Sequence, residues 1–593
     1  MRPLTQDEVR RTTRYSRFCD LFSHSQQASK QLWRPPDHSA CSHWRDPSFS
    51  VYPLCTHQQH QQQQEEIDDN EEMEDKEEEE MDLLLLLTGT YLLKEVPVAA
   101  GVTLLSPCPC FVAVTCMRVE DGTHKPLGRI PGAHQWTRSL SNSADVLKGS
   151  VVPKGMLTVA ELKELASLDK IDTVVVGITD CYGRLVGKRF TADFFLESAV
   201  DDGTHACSYL LATDMNMEPV PGYKYANWEA GYGDIHLVPD LKTLRVASWL
   251  DKTALVLCDV MEDVSHELAP HAPRSILSKQ LQAAEEVVSV PPLCACMMKC
   301  FKAETGKKVI CNLQDKGYAD LKPAGSARQH LEASGVPVEN SKGVFGLGQH
   351  ELDVKYAEIL EMADRHVVYK QCLKELADAT GVSVTFMAKP DAAQPRSSCH
   401  IHLSLWKDGH DILADKHALW FTKCSDEFRR FLGGWMKHTP ELMVFYAPNV
   451  NSYKRYSAGS WAPTQIAWSC DNRTAPFRIL GSGKLLQIEC RLPGANCNVY
   501  LAFAAALASG LDGIRNKIEP PPSLEGNIYF AKDLLTVPRS LGEATAAFEG
   551  SAFAKQMLGD DIHHHYLHFF RIEELTYLQA VTDWEKAQYF KQI

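Results

Sequence analysis

The chain has no uninterrupted hydrophobic run long enough to cross a membrane. Its most apolar stretch, residues 82–107, reads DLLLLLTGTYLLKEVPVAAGVTLLSP, and Lys94, Glu95 and two prolines interrupt it. A membrane-spanning helix needs about 20 consecutive apolar residues. The N-terminus also carries no convincing secretory signal. We therefore expect a protein of the cytoplasm with no membrane partner.

Regularly spaced cysteines and a broad basic surface are missing as well. The 19 cysteines are scattered, and their tightest group has no second cluster with the spacing of a zinc ribbon, so we interpret them as reduced thiols. The net charge is −15, but residues 65–82 hold thirteen acids and one lysine and account for most of it. The remaining chain is nearly neutral and has no basic stripe, so no nucleic-acid partner is expected.

Residues 1–153 show no sustained periodicity of apolar residues. They contain HQQHQQQQEE from His57, followed directly by the acidic run. Low-complexity polar tracts of this kind bury too little apolar surface to offset the entropy lost on ordering. The sequence therefore predicts a disordered N-terminal extension over residues 1–153.

Structured sequence follows in two parts. In residues 154–268, VAELKELASL has helical periodicity, and DTVVVGITD, GRLVGKRFTADFF, GDIHLVPD and TALVLCDV have the character of strands. These predict a small mixed sheet without a nucleotide-binding loop. In residues 269–593, long helical patterns alternate with strands, although PPLCACMMKC, after the first helix, fits neither pattern. The fold class predicted is α+β, with a small sheet domain before a larger domain of antiparallel strands backed by helices.

Two predicted strands carry polar and apolar residues on opposite faces. In SSCHIHLSL, His400 and His402 alternate with apolar residues, and in LLQIECRL, Glu489 and Arg491 do the same. Two further arginines, Arg473 and Arg478, lie in DNRTAPFRI just before the second strand. Histidine, carboxylate and guanidinium groups on neighbouring strands can hold a divalent cation and a phosphate together. The alternative is an ordinary solvated sheet face.

Six ordered motifs together resemble one family. They are GQHELDVKYAEILEMADRHVVYKQCLKELA, VTFMAKP, SSCHIHLSL, NVNSYKRY, DNRTAPFRI and IECRLPGANCNVYLAFAAALASGLDGIRNKIEPPP. The chain resembles the glutamine synthetase superfamily from about residue 158 onward, in particular its glutamine-synthetase-like γ-glutamyl ligase and lengsin branches. The resemblance implies a β-grasp domain at 154–268, a catalytic domain at 269–593, and a homo-oligomer of twelve subunits in two hexameric rings.

The same resemblance implies an activity and a set of site residues. The family phosphorylates the γ-carboxylate of glutamate with ATP, and an amine then attacks the γ-glutamyl phosphate, with Mg²⁺ or Mn²⁺ as cofactor. Glu351 is similar to a ligand of the first metal, and His400 and Glu489 to ligands of the second. The predicted catalytic residues are Arg473 and Arg478. The predicted substrate-binding residues, which would contact carboxylate and phosphate groups, are Arg455, Arg473, Arg478 and Arg491.

Three departures from the family pattern bear on this activity. The Glu-x-Glu strand expected near residues 290–306 is absent, and a second family glutamate falls on Gly343 or Val344. The acid that guards the ammonia site in the family corresponds to Trp461, which suggests an amine other than ammonia, or none.

Three hypotheses remain open at this stage. The chain is a working ATP-dependent glutamate–amine ligase that acts on ammonia or a small amine, or it is a lengsin-like structural or scaffolding pseudoenzyme that has lost the chemistry. Alternatively, residues 287–312 result from an incorrect splice junction, which sequencing the transcript would test.

Overall fold

The computed structural model describes residues 152–288, 292–300, 303–304, 325–344, 346, 348–381, 383–407, 410–411, 417–419 and 422–593. All of them lie in one unit of the chain, Gly132–Ile593. The prediction of disorder for residues 1–153 falls almost entirely outside the described residues. None of the helices in the described ranges combines the length and the apolar character that a membrane crossing requires.

The first part of the described chain forms a six-stranded mixed sheet in the order β2-β1-β6-β4-β3, with β5 paired to β6. β1 and β6 run parallel, and the other pairs are antiparallel. Its β-grasp assignment stays a prediction. The strands are β1 Thr173–Thr179, β2 Leu185–Thr191, β3 Thr204–Cys207, β4 Asp234–Pro239, β5 Arg245–Val246 and β6 Thr253–Glu262.

The second part is built on a nine-stranded sheet in the order β17-β18-β19-β13-β7-β10-β9, with β11 on β7 and β14 on β13. Among the described strands of this sheet, β17 and β18 pair in parallel, and the other pairs are antiparallel. Two further pairs, β8 with β12 and β15 with β16, stand apart from it. The strands are β7 Pro292–Cys300, β8 Ala303–Glu304, β9 Val338–Gly343, β10 His350–Val354, β11 Ala357–Glu358, β12 Ser383–Val384, β13 Cys399–Lys407, β14 His410–Asp411, β15 His417–Leu419, β16 Thr422–Cys424, β17 Trp468–Cys470, β18 Phe477–Leu480 and β19 Gln487–Cys490.

Helices pack around both sheets. The α-helices are α1 Val159–Ser167, α2 Ala192–Phe194, α3 Val200–Asp202, α4 Pro273–Val288, α5 Gly325–Glu332, α6 Ile359–Ala379, α7 Asp426–His438, α8 Met443–Tyr446, α9 Val450–Tyr453, α10 Val499–Arg515, α11 Leu541–Gly550, α12 Ala552–Leu558, α13 Asp560–Gln579 and α14 Asp583–Tyr589. A π-helical turn covers Phe195–Ala199, and 3₁₀ turns cover Ser208–Leu211, Leu241–Thr243, Pro440–Leu442, Gly483–Leu485 and Ile528–Phe530. The mixture of helix and sheet is the α+β class that the sequence predicts.

The main core lies on the apolar face of the large sheet. The apolar side chains of β13, Cys399, Ile401, Leu403 and Leu405, are all buried within it. Behind them α7 and α10 cross closely, because glycines remove the side chains at the contact. A Cβ on Gly434 would lie 2.2 Å from the Ser509 carbonyl oxygen, and one on Gly513 would lie 2.0 Å from that of Arg430. The helices therefore fix the sheet and leave its other face for polar groups.

Candidate active site on the polar face of the large sheet

The strand register aligns the predicted site residues on one face of the large sheet. His402 lies opposite Glu489 across the β13–β19 pair, and Glu489 lies opposite Arg478 across the β18–β19 pair. His400 is two residues before His402 and therefore shares its face. This alternation is the one that the sequence predicts, because the residues between them point into the core.

Glu489 lies at the centre of this group. Its Oε1 accepts a hydrogen bond from Nη1 of Arg491 at 2.7 Å and lies 3.2 Å from Nδ1 of His400. Its Oε2 accepts a hydrogen bond from Nη1 of Arg478 at 2.9 Å. His402 Nε2 is 3.9 Å from Oε1. Only about 2% of the Glu489 side chain is exposed, so this carboxylate is buried among guanidinium and imidazole groups.

The electrostatics follow from that arrangement. Burial alone would raise the pKa of Glu489, but the hydrogen bond from His400 and the charges of His400, Arg491 and His402 hold this pKa well below its usual range. Burial would lower the pKa of Arg478, yet Glu489 and Asp471 raise it. Burial also lowers the pKa of His402. The cluster therefore keeps an ionised carboxylate inside the protein.

Asp471 extends the cluster toward solvent. The Arg478 side chain donates to the Asp471 carboxylate through Nε at 3.0 Å and also through Nη2. Asp471 itself is exposed. Arg478 thus spans a buried acid and an exposed acid, which fixes the plane of its guanidinium group.

The other two predicted arginines lie apart from the carboxylate. Arg455 is buried, and its Nη1 and Nη2 donate to the backbone carbonyl oxygens of Leu492 and Arg491, the second at 3.0 Å. Arg473 is exposed on the turn that precedes β18, and its charge contributes to lowering the pKa of Arg491. The structure therefore groups His400, Glu489, Arg478 and Arg491, with Arg455 behind them and Arg473 at the surface.

Glu351 belongs to a different part of the same face. It is buried on β10, and its Oε1 lies 3.2 Å from Nζ of Lys342 on β9. Asp353, two residues further along, lies 4.0 Å from the same ammonium group. Burial and repulsion by Glu351 raise the pKa of Asp353 to about 6. Two strand spacings, about 10 Å, separate the β10 and β13 backbones.

The register also locates the positions where the Glu-x-Glu pattern is missing. On β7, Met297 lies opposite both His400 and Asp353, and Lys299 lies opposite Glu351. β7 is a regular nine-residue strand, although its sequence did not predict one. Pairing with β13 on one side and β10 on the other imposes the extended conformation.

The residues present suit one of the two expected metals better than the other. His400 and Glu489 bring a ring nitrogen and a carboxylate oxygen within 3.2 Å, which fits a Mg²⁺ that takes its other ligands from water and phosphate. Glu351 is already paired with an ammonium group, so the first metal does not fit. Within the ranges that the structure describes, no group of three or more His, Cys, Asp or Glu side chains is arranged to hold a metal ion.

Three residues near these clusters were not predicted from the sequence as site residues. The alternation in HELDV places Asp353 on the face of Glu351, so this acid could have been found. Lys342 carries no such signal, because only the β9–β10 register brings it to Glu351. Asp471 precedes Arg478 by seven residues, and their contact depends on the turn before β18.

The comparisons with known proteins agree with the motifs. Residues 312–589 match the family profile described as glutamine synthetase, catalytic domain. The chain is 39% identical over 466 residues to γ-glutamylethanolamide synthetase GlnA4 of Streptomyces coelicolor, covering 74% of this chain and 96% of the relative. It is 32% identical over 456 residues to a glutamate–isopropylamine ligase of a Pseudomonas species, covering 73% and 97%.

Further matches include a glutamine synthetase and a solved structure. A glutamine synthetase of Thermotoga maritima is 31% identical over 462 residues, covering 73% of this chain and 99% of the relative. A GmaS/ADP complex superposes with a TM-score of 0.63 at 26% identity, covering 72% of this chain and 99% of that one. The fold, the motifs and these relatives agree: the chain belongs to the glutamine synthetase superfamily.

Proposed function

We propose that the chain is a cytoplasmic, ATP-dependent glutamate–amine ligase that acts through a γ-glutamyl phosphate. The observation that carries the proposal is the buried Glu489 carboxylate, held by His400, Arg478 and Arg491 on one sheet face. The relatives named as γ-glutamylethanolamide synthetase and glutamate–isopropylamine ligase support the same reaction class.

The proposed reaction has two balanced steps. A γ-carboxylate oxygen of glutamate attacks the terminal phosphorus of ATP, and the bond to the bridging oxygen breaks to release ADP. The amine nitrogen then attacks the γ-carbonyl carbon, the bond to the phosphate oxygen breaks, and the nitrogen loses a proton. The products are a γ-glutamyl amide, ADP and phosphate.

The chain's own residues orient and stabilise charge in this scheme. Arg478 and Arg491 offer guanidinium groups to phosphate or carboxylate oxygens, and Arg473 offers a third at the surface. Arg455 acts one step behind, because its two hydrogen bonds hold the backbone of Arg491 and Leu492 in place. His400 and Glu489 would hold Mg²⁺ or Mn²⁺, which neutralises phosphate charge when bound.

The amine we propose carries carbon substituents and is not ammonia. Trp461 stands where the family has an acid, its side chain is 66% exposed, and its backbone lies at φ 59°. A flat apolar ring suits an alkyl group better than it suits an ammonium ion.

Domain organisation and assembly belong to the proposal as well. Residues 1–153 form an extension, 154–268 a β-grasp domain and 269–593 the catalytic domain. The subunits assemble as two hexameric rings with each site between neighbours.

A direct test is amine-dependent phosphate release. Purified full-length protein is given ATP, Mg²⁺ and glutamate with ammonia, methylamine, ethanolamine or isopropylamine. The proposal expects release with at least one amine, and a loss of at least about 100-fold in His400→Ala. His205→Ala, at an exposed histidine of the small sheet, is the matched control. Equal rates for wild type and His400→Ala would contradict the proposal.

A structural or scaffolding role is the second candidate. The observation that favours it is the Lys342–Glu351 ion pair where the family has metal chemistry. This role predicts assembly of the rings without phosphate release for any amine in the panel.

A further inference from the structure

Lys342 inserts a positive charge into a pair of buried acids. Its Nζ lies 3.2 Å from Glu351 Oε1 and 4.0 Å from Asp353 Oδ2. The two acidic side chains are 2% and 8% exposed, whereas Lys342 is 26% exposed. Burying two carboxylates this close together is costly unless a cation accompanies them. In this structure the accompanying cation is a side chain.

The strand register surrounds Glu351 with lysine positions. Lys342 is opposite Glu351 on β9, and Lys299 is opposite it on β7. Met297, opposite Asp353, and Asn340, on its other side, are uncharged. Lys342 offsets one of the two negative charges of Glu351 and Asp353, which leaves less net charge to attract a divalent cation.

We propose that the Lys342 ammonium replaces the first divalent cation of the site, so that this chain takes up metal only at the His400–Glu489 pair. The inference rests on the proposed function for its meaning in catalysis, but the ion pair stands on geometry alone. A lysine ammonium is a compact point charge with three donors, so it can lie close to both acids and offset one of their two negative charges without leaving the sheet.

The effect of Lys342 on metal binding can be measured without turnover. Removing the ammonium takes away the positive charge that lies beside both Glu351 and Asp353, which favours the binding of an external cation there. The variant should therefore gain a metal ion that the wild type does not bind, and its stability should come to depend on that ion.

The test counts Mn²⁺ on full-length wild type, Lys342→Gln and Lys342→Glu by equilibrium dialysis with metal analysis. Each Lys342 variant should hold about one Mn²⁺ per chain more than wild type, with the stronger gain in Lys342→Glu, which adds a third carboxylate. Its Tm should rise with Mn²⁺ by about 5 °C or more above any rise in wild type. Lys355→Gln, an exposed lysine just beyond β10, should match wild type in both measurements.

Two results would overturn the inference: a wild type with about two Mn²⁺ per chain, or Lys342 variants with no more metal than wild type. If the Lys342 variants do not fold, the number of Mn²⁺ ions bound by Glu351→Gln decides the question. An unchanged metal count supports the inference, and the loss of about one Mn²⁺ contradicts it.

The outcome is independent of the proposed function, because the difference between wild type and variant is measured without substrates. A failed ligase assay would leave that difference intact. A failed metal count would leave the ligase assay to be judged by itself.

Discussion

The polar face of the large sheet has two parts. Each part contains a buried glutamate, and the two glutamates have different partners. On β13, β18 and β19, the buried Glu489 is held by two guanidinium groups and an imidazole. On β9 and β10, the buried Glu351 is held by an ammonium group. Arginine and histidine can orient phosphate or share a metal, whereas lysine here neutralises the acid. Under the proposed function, the partners of each glutamate, and not its burial, therefore distinguish a reactive part from a silent one.

The difference between the two parts is tested most sharply by the same Glu→Gln substitution in each of them. Glu489→Gln removes the anion beside the buried Arg491 and His400 and one of the two acids that Arg478 bridges, which should lower the free energy of unfolding by about 3 kcal/mol. It should also reduce amine-dependent phosphate release by at least about 100-fold. Glu351→Gln should reduce that release by less than about threefold, because the partly exposed Lys342 can turn to water. Urea denaturation and the phosphate assay check both.

Equal losses in the two variants would show that the parts do not differ as described. A circular dichroism spectrum of each variant serves as the control for folding.

Arg478→Lys tests whether two acids must be bridged at once. The guanidinium group spans Asp471 and Glu489, and one ammonium group cannot reproduce that fork. Phosphate release should fall about 10- to 100-fold. Arg189→Lys, at an exposed arginine that lies 3.4 Å from Glu375, should not change it. Full activity in Arg478→Lys would mean that a positive charge at residue 478 is enough for phosphate release and that bridging two acids is not required.

Arg455→Lys tests whether Arg455 positions Arg491. The family resemblance assigned Arg455 to substrate binding, whereas we propose a positioning role. Losing one of two hydrogen bonds to buried carbonyl groups should cost about 1–2 kcal/mol of unfolding free energy. If Arg455 acts through Arg491, kcat should fall with the KM for glutamate nearly unchanged. A large rise in that KM with normal stability would return Arg455 to direct substrate contact.

Trp461→Glu should produce the smallest effect, because it should change only the preference between amines. An acid at this position should shift the ratio of kcat/KM values for ammonia over isopropylamine about tenfold toward ammonia. Trp228→Glu, at another exposed tryptophan, is the control. An unchanged ratio would remove Trp461 from amine selection.

The sequence predicted those features that depend on local patterns. The alternation in CHIHLSL and QIECRL gave the correct faces for His400 and Glu489. The helical periodicity of residues 357–381 predicts one long helix, which is observed as Ile359–Ala379. The sequence did not predict β7, whose prolines and cysteines oppose strand character until neighbouring strands pair with it.

Other misses have equally physical causes. VSVTFMAKP has the residue character of a strand, but the strand ends after Val384, and further along the backbone of Lys389 pairs with the side-chain amide of Asn451. The Lys342–Glu351 ion pair depends on register between strands, which sequence spacing does not specify.

The transfer of labelled oxygen to phosphate shows whether a γ-glutamyl phosphate forms at the Glu489 cluster. Glutamate labelled with ¹⁸O in its γ-carboxylate is incubated with the full-length protein, ATP, Mg²⁺ and the preferred amine, and the released phosphate is analysed by mass spectrometry. A γ-glutamyl phosphate at the Glu489 cluster predicts about one labelled oxygen in each phosphate released, with release and label both lost in Glu489→Gln. Phosphate that forms without the label, or labelled phosphate formed equally well by Glu489→Gln, would contradict the account.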